Sequence, residues 1–375
     1  MDCMSSPFDI CIRGSGVVGS TLALLLARQR LRVALVGQPP AAHDVRAFAL
    51  NAHSRELLSD LRCWPDGLHA TPVQSMQVWG DTNGSVQFQA PSFNGLTHIV
   101  DVANLEKLLA EAIGFQPAIE RVEAPVPAKL TVVCEGRHSS TRQELGIAYE
   151  TLPYAQHALA TRVQCSKPHR QQALQWFAQS GGELDILALL PLGGMAGNEA
   201  AVVWSMSNER ALKLQSSTPQ ELSEALTQAS HAALGELQTT SAAQVWPLTL
   251  ARAMHWSGRM PNGGAWVLAG DAAHSIHPLA GLGLNLGLAD VSELASVLKA
   301  REGQDYWRAL DDSHLLRRYE RARKAGMQAT WLACDGLQRL FNHPNPMVQS
   351  LRNWGLNGFN QIAPLKQWAM QMAMR

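Results

Sequence analysis

The stretch at residues 270–285, GDAAHSIHPLAGLGLN, combines residue types that could bind a large ligand. It follows the apolar run at residues 266–269, which predicts a buried strand. Asp271 comes just after this run, and the chain then has no Asp, Glu, Lys or Arg from residue 272 to residue 289. Because unpaired charges are costly beside a buried apolar ring, this composition favours a flat, uncharged ligand surface.

The flavin of FAD fits this pattern. Asp271 could bind the ribityl chain, and a helix beginning near residues 281–285 could direct its positive N-terminus at a ring that becomes negatively charged on reduction. Two other interpretations stay open. One is a metal site made by Asp271, His274 and His277, for which the sequence offers no evident fourth ligand. The other is a buried loop with hydrogen-bonded histidines and no ligand.

A second glycine-rich turn lies near the start of the chain. FDICIR predicts a strand and TLALLLARQ predicts a helix, and GSGVVG between them has the G-x-G-x-x-G spacing of a dinucleotide-binding turn. The first glycine allows the tight bend, the second lets backbone N–H groups approach a pyrophosphate, and the third lets the helix pack on the strand. The alternative is a strand–helix turn without a ligand. The predicted cofactor contacts here are Gly14, Ser15, Gly16, Val17, Val18 and Gly19.

The second strand, RVALV, lacks the acid that usually follows it. Asp or Glu binds the ribose diol at this place in dinucleotide-binding folds, whereas this chain has Gly37 and Gln38. Gln38 could donate a hydrogen bond to the ribose, which would be weaker than the bond to a carboxylate. Arg13 could contact the pyrophosphate or extend outward into water, and the sequence favours neither.

The order of elements predicts an α/β fold. A strand–helix–strand unit at the N-terminus implies a parallel sheet with a right-handed crossover. We expect a Rossmann-like FAD-binding domain, a mixed α+β substrate domain and a helical C-terminus. The predicted FAD-binding domain comprises residues 1–64, 100–151 and 247–300. The predicted substrate domain comprises residues 65–99 and 152–246, and residues 301–375 form the C-terminal helical region.

Composition restricts the function further. The 375 residues are 46% hydrophobic and 17% charged, with 31 basic and 31 acidic side chains. This is typical of a globular enzyme and gives no global charge for binding nucleic acid. The six cysteines include no C-x-x-C pair, which favours free thiols in a reducing cytoplasm. No secretory signal or membrane-spanning run is visible, so we expect a cytoplasmic protein.

The sequence resembles the FAD-dependent aromatic hydroxylases, within them the branch of ubiquinone biosynthesis. The family's nucleotide motif is similar to GSGVVGSTLALLLA in this chain. Its D-x-R-x-x-A-L segment is similar to residues 44–58. Residues 270–291 resemble the family's G-D-A-A-H…H-P-x-A-G-Q-G-x-N motif. The segment LRNWGLNGFNQIAPLK resembles the C-terminal tail of the ubiquinone branch. The resemblance implies that FAD is contacted by Arg46, Asp271, Pro278, Gly281, Leu282, Gly283, Leu284 and Asn285.

Four positions depart from the family pattern. Gly37 replaces the ribose acid, Leu282 replaces a glutamine, and Val102 replaces a polar residue that meets the cofactor. Glu135 stands for aspartate in D-G-x-x-S-x-x-R, of which Ser139 and Arg142 remain. Because each lost hydrogen bond costs about 0.5–1.5 kcal/mol, we expect FAD binding looser than is typical of the family.

The resemblance also implies the reaction. NAD(P)H or another donor reduces FAD, and one oxygen atom of O2 is transferred to a phenol ring. His277 is the candidate proton donor or phenol base, although it could simply shape its turn. The substrate, a polyprenylated phenol, would lie between the two domains. The predicted substrate contacts are Leu190, Pro191, Trp204, Met206 and Ala280, which could equally be core residues.

Two further points concern partners. Leu365, Trp368, Ala369 and Met372 repeat at helical spacing, which would suit either peripheral contact with a membrane or docking on the protein itself. The basic helix around residues 317–324 is expected to be a solvated face. The four departures leave a second hypothesis: a catalytically weakened relative that serves as an accessory component among other ubiquinone-biosynthesis proteins.

Overall fold

The computed structural model of the chain describes residues 7–38, 44–80, 84–92, 94–180, 183–193, 196–261, 263–275, 283–301 and 308–342. In chain order the strands are β1 (Ile10–Arg13), β2 (Val33–Val36), β3 (Ala47–Leu50), β4 (Ala70–Pro72), β5 (Ser75–Trp79), β6 (Ser85–Gln89), β7 (His98–Asp101), β8 (Ile119–Val122), β9 (Leu130–Val133), β10 (Tyr149–Cys165), β11 (Gln172–Ser180), β12 (Glu183–Pro191), β13 (Glu199–Ser207), β14 (Leu237–Thr239), β15 (Gln244–Ala253), β16 (Ser257–Arg259), β17 (Ala265–Leu268) and β18 (His274–Ser275). The helices are α1 (Val17–Arg28), α2 (Ala52–Asp60), α3 (Val102–Gly114), α4 (Ser140–Glu144), α5 (Asn208–Gln215), α6 (Pro219–Ala229), α7 (Gly283–Ala300) and α8 (Ser313–Asn342), and a 3-10 turn spans Gly270–Ala272.

The first sheet is parallel apart from one edge. Within the described residues its strand order is β16-β17-β9-β1-β2-β8, and only β16 is antiparallel to its neighbour. The central strands are apolar and buried because helices cover the sheet; α1 contacts both α3 and α7. This arrangement confirms the predicted α/β class with a parallel sheet.

The second sheet is larger and mostly antiparallel. Among the described residues its order is β18-β15-β10-β13-β12-β11-β5-β6, with β14 also paired to β10. Side chains alternate between its two faces. One face buries a core with α5 and α6 that includes Trp204, Met206, Leu222 and Leu226. The other face is turned toward the first sheet.

The long strands β10 and β15 both belong to the second sheet. β10 begins at Tyr149 and β15 ends at Ala253, so the predicted boundaries at residues 151 and 247 fall inside strands of the second sheet. A third, short sheet has the strand order β3-β7-β4 within the described residues.

The described C-terminal part is the long helix α8. Arg317 and Arg318 are exposed, as expected for a solvated face, whereas Tyr319 is buried. Arg323 departs from that expectation, since its guanidinium turns inward to Asp290. The amphipathic segment at residues 365–372 and the motif LRNWGLNGFNQIAPLK lie outside the described residues. None of the helices in the described part of the chain is long and apolar enough to cross a lipid bilayer.

Candidate functional site

A cavity of about 650 Å³ lies between the first sheet and the inner face of the second. On one side it is lined by the segments that follow β1, β9 and β17, including Gly14, Glu135 and Asp271. On the other side it is lined by β10, β13 and β15. Ligands of open α/β folds bind at the carboxyl ends of parallel strands, so this cavity is the candidate site.

The turn between β1 and α1 leaves room for a phosphate. Gly14 has a φ of +113°, and a Cβ atom there would overlap the carbonyl group of Cys134. A Cβ atom on Gly19 would overlap the carbonyl oxygen of Gly14. Gly16 differs, because the nearest atom to a Cβ built there is Glu106 Oε1, at 3.9 Å. Gly14 and Gly19 therefore shape the turn, and Gly16 keeps the cavity open.

The N-terminus of α1 can accept a negatively charged group. Its N-cap is Gly16, which offers no capping side chain, and its first turn contains no acidic residue. Ser15, Val17 and Val18 also line the cavity. Because the first N–H groups of a helix have no intrahelical partner and carry partial positive charge, this end is suited to a pyrophosphate.

The end of β2 contributes Gly37 and Gln38 to the cavity. The Ser15 hydroxyl donates a hydrogen bond of 2.7 Å to the Gln38 carbonyl oxygen, which fixes the two turns to each other. A Cβ atom on Gly37 would overlap Ser15 Oγ. The close contact with Ser15 thus explains why glycine stands at this position in this chain.

Arg13 fills neither of the two roles considered from the sequence. Its Nε donates to Glu135 Oε1 at 3.1 Å, and its Nη1 donates to Glu144 Oε2 at 3.3 Å. Glu135 also accepts bonds from the hydroxyl groups of Ser139 and Thr141, both at 2.6 Å. Burial alone would raise the pKa of Glu135, but these bonds and Arg13 outweigh it and lower that pKa. The glutamate in the family's aspartate position therefore holds α4 in place.

Arg46 lines the cavity just before β3. Its Nε donates to both carboxylate oxygens of Asp44 at 2.9 Å. Burial opposes ionisation of Asp44, but the bonds from Arg46 outweigh it and lower the Asp44 pKa. The Arg46 guanidinium also interacts electrostatically with Glu106 and Asp271. A charged, oriented guanidinium is suited to a phosphate or ribose oxygen.

Asp271 lies in the 3-10 turn after β17 and lines the cavity. Tyr149 donates its hydroxyl to the Asp271 carbonyl oxygen at 3.0 Å, and Arg142 Nη1 donates to the Ala272 carbonyl oxygen at 3.0 Å. The Arg142 guanidinium also stacks over the Tyr149 ring at 3.6 Å. Burial raises the pKa of Asp271, while His274, Arg137 and Arg46 act to lower it. Within the described residues these hydrogen bonds hold the turn through its backbone, and the Asp271 side chain lines the cavity.

A buried ionic network lies beneath this turn. Asp290 Oδ2 accepts the Gly270 N–H at 2.9 Å and a bond from His274 Nε2 at 2.6 Å. Arg323 Nε of α8 donates to Asp290 Oδ1 at 2.6 Å, and the Trp256 ring stacks on His274. Burial alone would raise the pKa of Asp290, but His274 and Arg323 outweigh it and lower that pKa. Sequence reasoning missed Asp290 and Arg323, although an acid ending an uncharged run of 18 residues was a usable signal.

The metal interpretation finds no support among the described residues. They contain no group of three His, Cys, Asp or Glu side chains that could hold an ion. Nε2 of His274 is already bonded to Asp290. His277, the third candidate ligand and the candidate acid–base group, lies outside the described residues, as do Pro278, Ala280, Gly281 and Leu282.

The start of α7 divides into two roles. Gly283 and Leu284 line the cavity. Asn285 instead connects α7 to the segment around α2: its Oδ1 accepts the Asn51 N–H at 2.9 Å and the Ser54 hydroxyl at 2.8 Å. Its Nδ2 donates to the Ala49 carbonyl oxygen at 2.7 Å. Asn285, predicted as a cofactor contact, therefore orients the helix that faces the cavity.

The inner face of the second sheet forms an apolar wall. It is made by small and medium side chains of β10 and β13, namely Ala158, Ala160, Ala201 and Val203, together with Trp246 of β15. Trp204 and Met206, predicted as substrate contacts, lie in the core with α5 and α6. Ala201 and Val203 line the cavity instead, because neighbouring residues of a strand point to opposite faces.

Leu190 and Pro191 come from the neighbouring strand β12. Leu190 is paired with Ala201 of β13 and packs in a small core with Val73 and Ile99. Pro191 is buried and paired with Ala200. Neither is among the residues that line the cavity. Leu190 lies beside the wall on the same face as Ala201, and Pro191 lies on the opposite face with Ala200.

Two charged residues of the site were not anticipated. Glu106 of α3 lines the cavity near Gly16, and burial raises its pKa. Arg137 follows β9 and donates from Nη1 to the Pro247 carbonyl oxygen at 2.6 Å. Neither stands in a position that local spacing marks, because their approach to the cavity depends on how distant segments pack.

The residues present fit FAD. The same cavity is lined by an open glycine turn at a helix N-terminus, by Gln38 after β2, by the arginine Arg46 and by the acid Asp271 at a strand end. The chemistry of these groups suits a pyrophosphate, a ribose and a ribityl chain.

Comparisons with known proteins agree with this geometry. The chain is 29% identical to 3-demethoxyubiquinol 3-hydroxylase of Escherichia coli (strain K12), over 99% of each chain. It is 28% identical to the ubiquinone biosynthesis monooxygenase COQ6, mitochondrial, of Drosophila melanogaster, over 98% of this chain and 90% of that protein. Among solved structures it is similar to p-nitrophenol 4-monooxygenase PnpA from Pseudomonas putida DLL-E4, with a TM-score of 0.75 at 16% identity over 99% of each chain. It is also similar to pqsL, a probable FAD-dependent monooxygenase from Pseudomonas aeruginosa, with a TM-score of 0.72 at 21% identity over 93% of this chain and 99% of that one.

The family comparison covers the part of the site that follows residue 94. Residues 94–331, well over half of the 375, match the FAD binding domain family. The matched part contains the turn around Asp271 and the start of α7. The chain therefore belongs to this family of FAD-binding domains.

Proposed function

We propose that this protein is an FAD-dependent monooxygenase that hydroxylates the aromatic ring of a polyprenylated phenol in ubiquinone biosynthesis. NAD(P)H or another donor supplies the electrons, and O2 supplies the oxygen atom. The observation that carries the proposal is the cavity that extends from the glycine turn at Gly16 to the apolar wall at Val203. The relatives named as ubiquinone hydroxylases support the choice of substrate.

The residues of the first sheet would bind and orient FAD. The N-terminus of α1 would face the pyrophosphate, Arg46 would add a positive charge beside it, and Asp271 would accept hydroxyl groups of the ribityl chain. Gly283 and Leu284 would lie against the ring. The bound flavin supplies the electrons that activate O2.

The residues of the second sheet would position the phenol and exclude water. Ala160, Ala201 and Val203 offer apolar surface without bulky side chains, which suits a flat ring carrying a prenyl chain. Because electrostatic interactions strengthen where water is excluded, the same wall would favour charge stabilisation around the flavin. His277 remains the proposed proton donor or phenol base. Peripheral contact with a membrane, where prenylated phenols reside, is also proposed.

The test is a reconstituted reaction. The purified protein is examined for a flavin spectrum, then incubated with FAD, NADPH, ¹⁸O2 and a short-chain prenylated phenol. The proposal expects a product that carries one atom of ¹⁸O on the ring. No FAD binding at high micromolar concentration would leave only the weakened accessory relative. Bound FAD without oxygen consumption with any phenol would point to a reductase or oxidase role.

A further inference from the structure

Arg162 of β10 reaches from the second sheet to the segment that carries Arg46. Its Nη2 donates to the Asp44 carbonyl oxygen at 3.3 Å, and its Nε donates to the Val45 carbonyl oxygen at 3.4 Å. Its Nη1 forms an ion pair of 2.7 Å with Asp101. One guanidinium therefore contacts two separate parts of the cofactor side.

The two carbonyl groups lie outside the strand ladder of the described residues. β3 begins only at Ala47, so Asp44 and Val45 precede the strand and its ladder. A partly buried backbone carbonyl needs a donor, and Arg162 supplies one to each. The planar fork of a guanidinium can reach two acceptors and a carboxylate at once, which an ammonium cannot.

Two sets of hydrogen bonds connect the partners of Arg162 to Arg46, which lines the cavity. The Asp44 carboxylate accepts the backbone N–H of Arg46 at 2.9 Å as well as its Nε. The Arg46 carbonyl oxygen then accepts the N–H of Val102, the first residue of α3, at 3.3 Å. Asp101, the ion-pair partner of Arg162, is the N-cap of that same helix. The position of the Arg46 side chain thus depends on two segments that Arg162 holds.

We propose that Arg162 is a positioning residue that holds Arg46 against the cofactor from the substrate sheet. The inference rests on the proposed contact between Arg46 and FAD. Two residues away on the same strand, Ala160 lines the cavity. Arg162 therefore ties the wall of the substrate region to the orientation of a cofactor contact, although it touches neither ligand.

A double-mutant cycle in FAD affinity tests this role. The dissociation constant for FAD is measured by titration of the full-length apo-protein for wild type, Arg46→Met, Arg162→Met and the double variant. We expect Arg162→Met to weaken binding about tenfold and Arg46→Met by at least as much. The double variant should match Arg46→Met within about twofold, because Arg162 acts through Arg46.

Arg259→Met is the matched control. Arg259 also forms an ion pair of 2.7 Å, with Asp311, and neither it nor Arg162 lines the cavity. This variant should leave the dissociation constant unchanged. Thermal unfolding of each variant without FAD separates a loss of fold from a loss of affinity. Should Arg162→Met not fold, Arg162→Lys enters the same cycle, since it keeps a charge beside Asp101 but cannot reach both carbonyl groups.

Three results would overturn the proposal. Losses that multiply in the double variant would mean that Arg162 acts independently of Arg46. An unchanged dissociation constant in Arg162→Met, with a weakened one in Arg46→Met, would leave Arg162 a purely structural residue. An unchanged constant in Arg46→Met would remove the contact on which the inference rests, while FAD binding by the wild type would still support the proposed function.

Discussion

The two sides of the cavity are built on different principles. On the first-sheet side, polar groups have specific partners: Asp290 bonds to Gly270, His274 and Arg323, and Tyr149 fixes the turn that carries Asp271. On the second-sheet side, the wall of β10 and β13 consists of alanine and valine side chains. The first side can hold one ligand in one orientation. The second offers shape and exclusion of water, which suits a cofactor on one side and an exchangeable substrate on the other.

The largest effects are expected from substitutions of two glycines in the turn on the cofactor side. Gly14→Ala should unfold the domain or lower its unfolding temperature strongly, since φ is +113° and the methyl group would overlap the Cys134 carbonyl group. Gly16→Leu should fold normally but weaken FAD binding about a hundredfold or more, because its side chain would enter the cavity. Circular dichroism and FAD titration measure the two effects. Equal effects of both variants on folding would contradict the separate roles of the two glycines.

Two variants in β13 test which face of this strand lines the cavity on the substrate side. Trp204→Ala should lower the free energy of unfolding by about 3–5 kcal/mol, as for other buried aromatic side chains, with little change in KM for the phenol. Val203→Phe should raise that KM about tenfold with the FAD dissociation constant unchanged, because it narrows the cavity. Steady-state kinetics and denaturant unfolding provide the data. A larger KM effect from Trp204→Ala would reverse the assignment of the two faces.

Glu106 offers a gain of affinity on the cofactor side. Its carboxylate lies beside Gly16, so Glu106→Gln removes a negative charge near the expected pyrophosphate and should tighten FAD binding about threefold to tenfold. Because the pKa of Glu106 is raised, wild-type affinity should rise as pH falls and this group becomes protonated. The variant should lose that part of the pH dependence. FAD titrations of the wild type and the variant across a pH series measure both effects. Weaker FAD binding by Glu106→Gln would contradict a pyrophosphate position near Glu106.

The smallest expected effect concerns stability away from the cofactor. Burial and the adjacent Arg55 lower the pKa of His98 to about 4, and Arg55 Nη1 lies 3.3 Å from its Nε2. Between pH 6.5 and 4 the unfolded chain therefore binds more protons at this histidine, so stability falls as the pH falls through that window. His98→Gln should flatten this part of the pH profile of thermal unfolding. A profile unchanged from the wild type would show that His98 does not titrate in this way.

The sequence predicted the parts of the site that depend on local spacing. The turn at Gly14–Gly19 and the strand end before Asp271 are defined by neighbouring residues and elementary backbone geometry. The prediction of the wall was wrong by one position, because it named Trp204 where Val203 lines the cavity. Both residues are apolar, and only the pairing of β13 decides which face each one takes. Arg162, Glu106 and Arg323 could not be found this way. Their neighbours Asp101, Gly16 and Asp290 lie 61, 90 and 33 residues away in sequence, and only the packing of separate elements brings them together.

The central claim is that the cavity holds FAD with its ribityl chain on Asp271. Its most direct test is the titration of apo-protein with FAD for wild type and Asp271→Ala, followed by flavin absorbance and protein unfolding. We expect saturable binding by the wild type, and for Asp271→Ala a loss of about a hundredfold in affinity with an unchanged unfolding temperature in the absence of FAD. Equal flavin content in both proteins would contradict the claim.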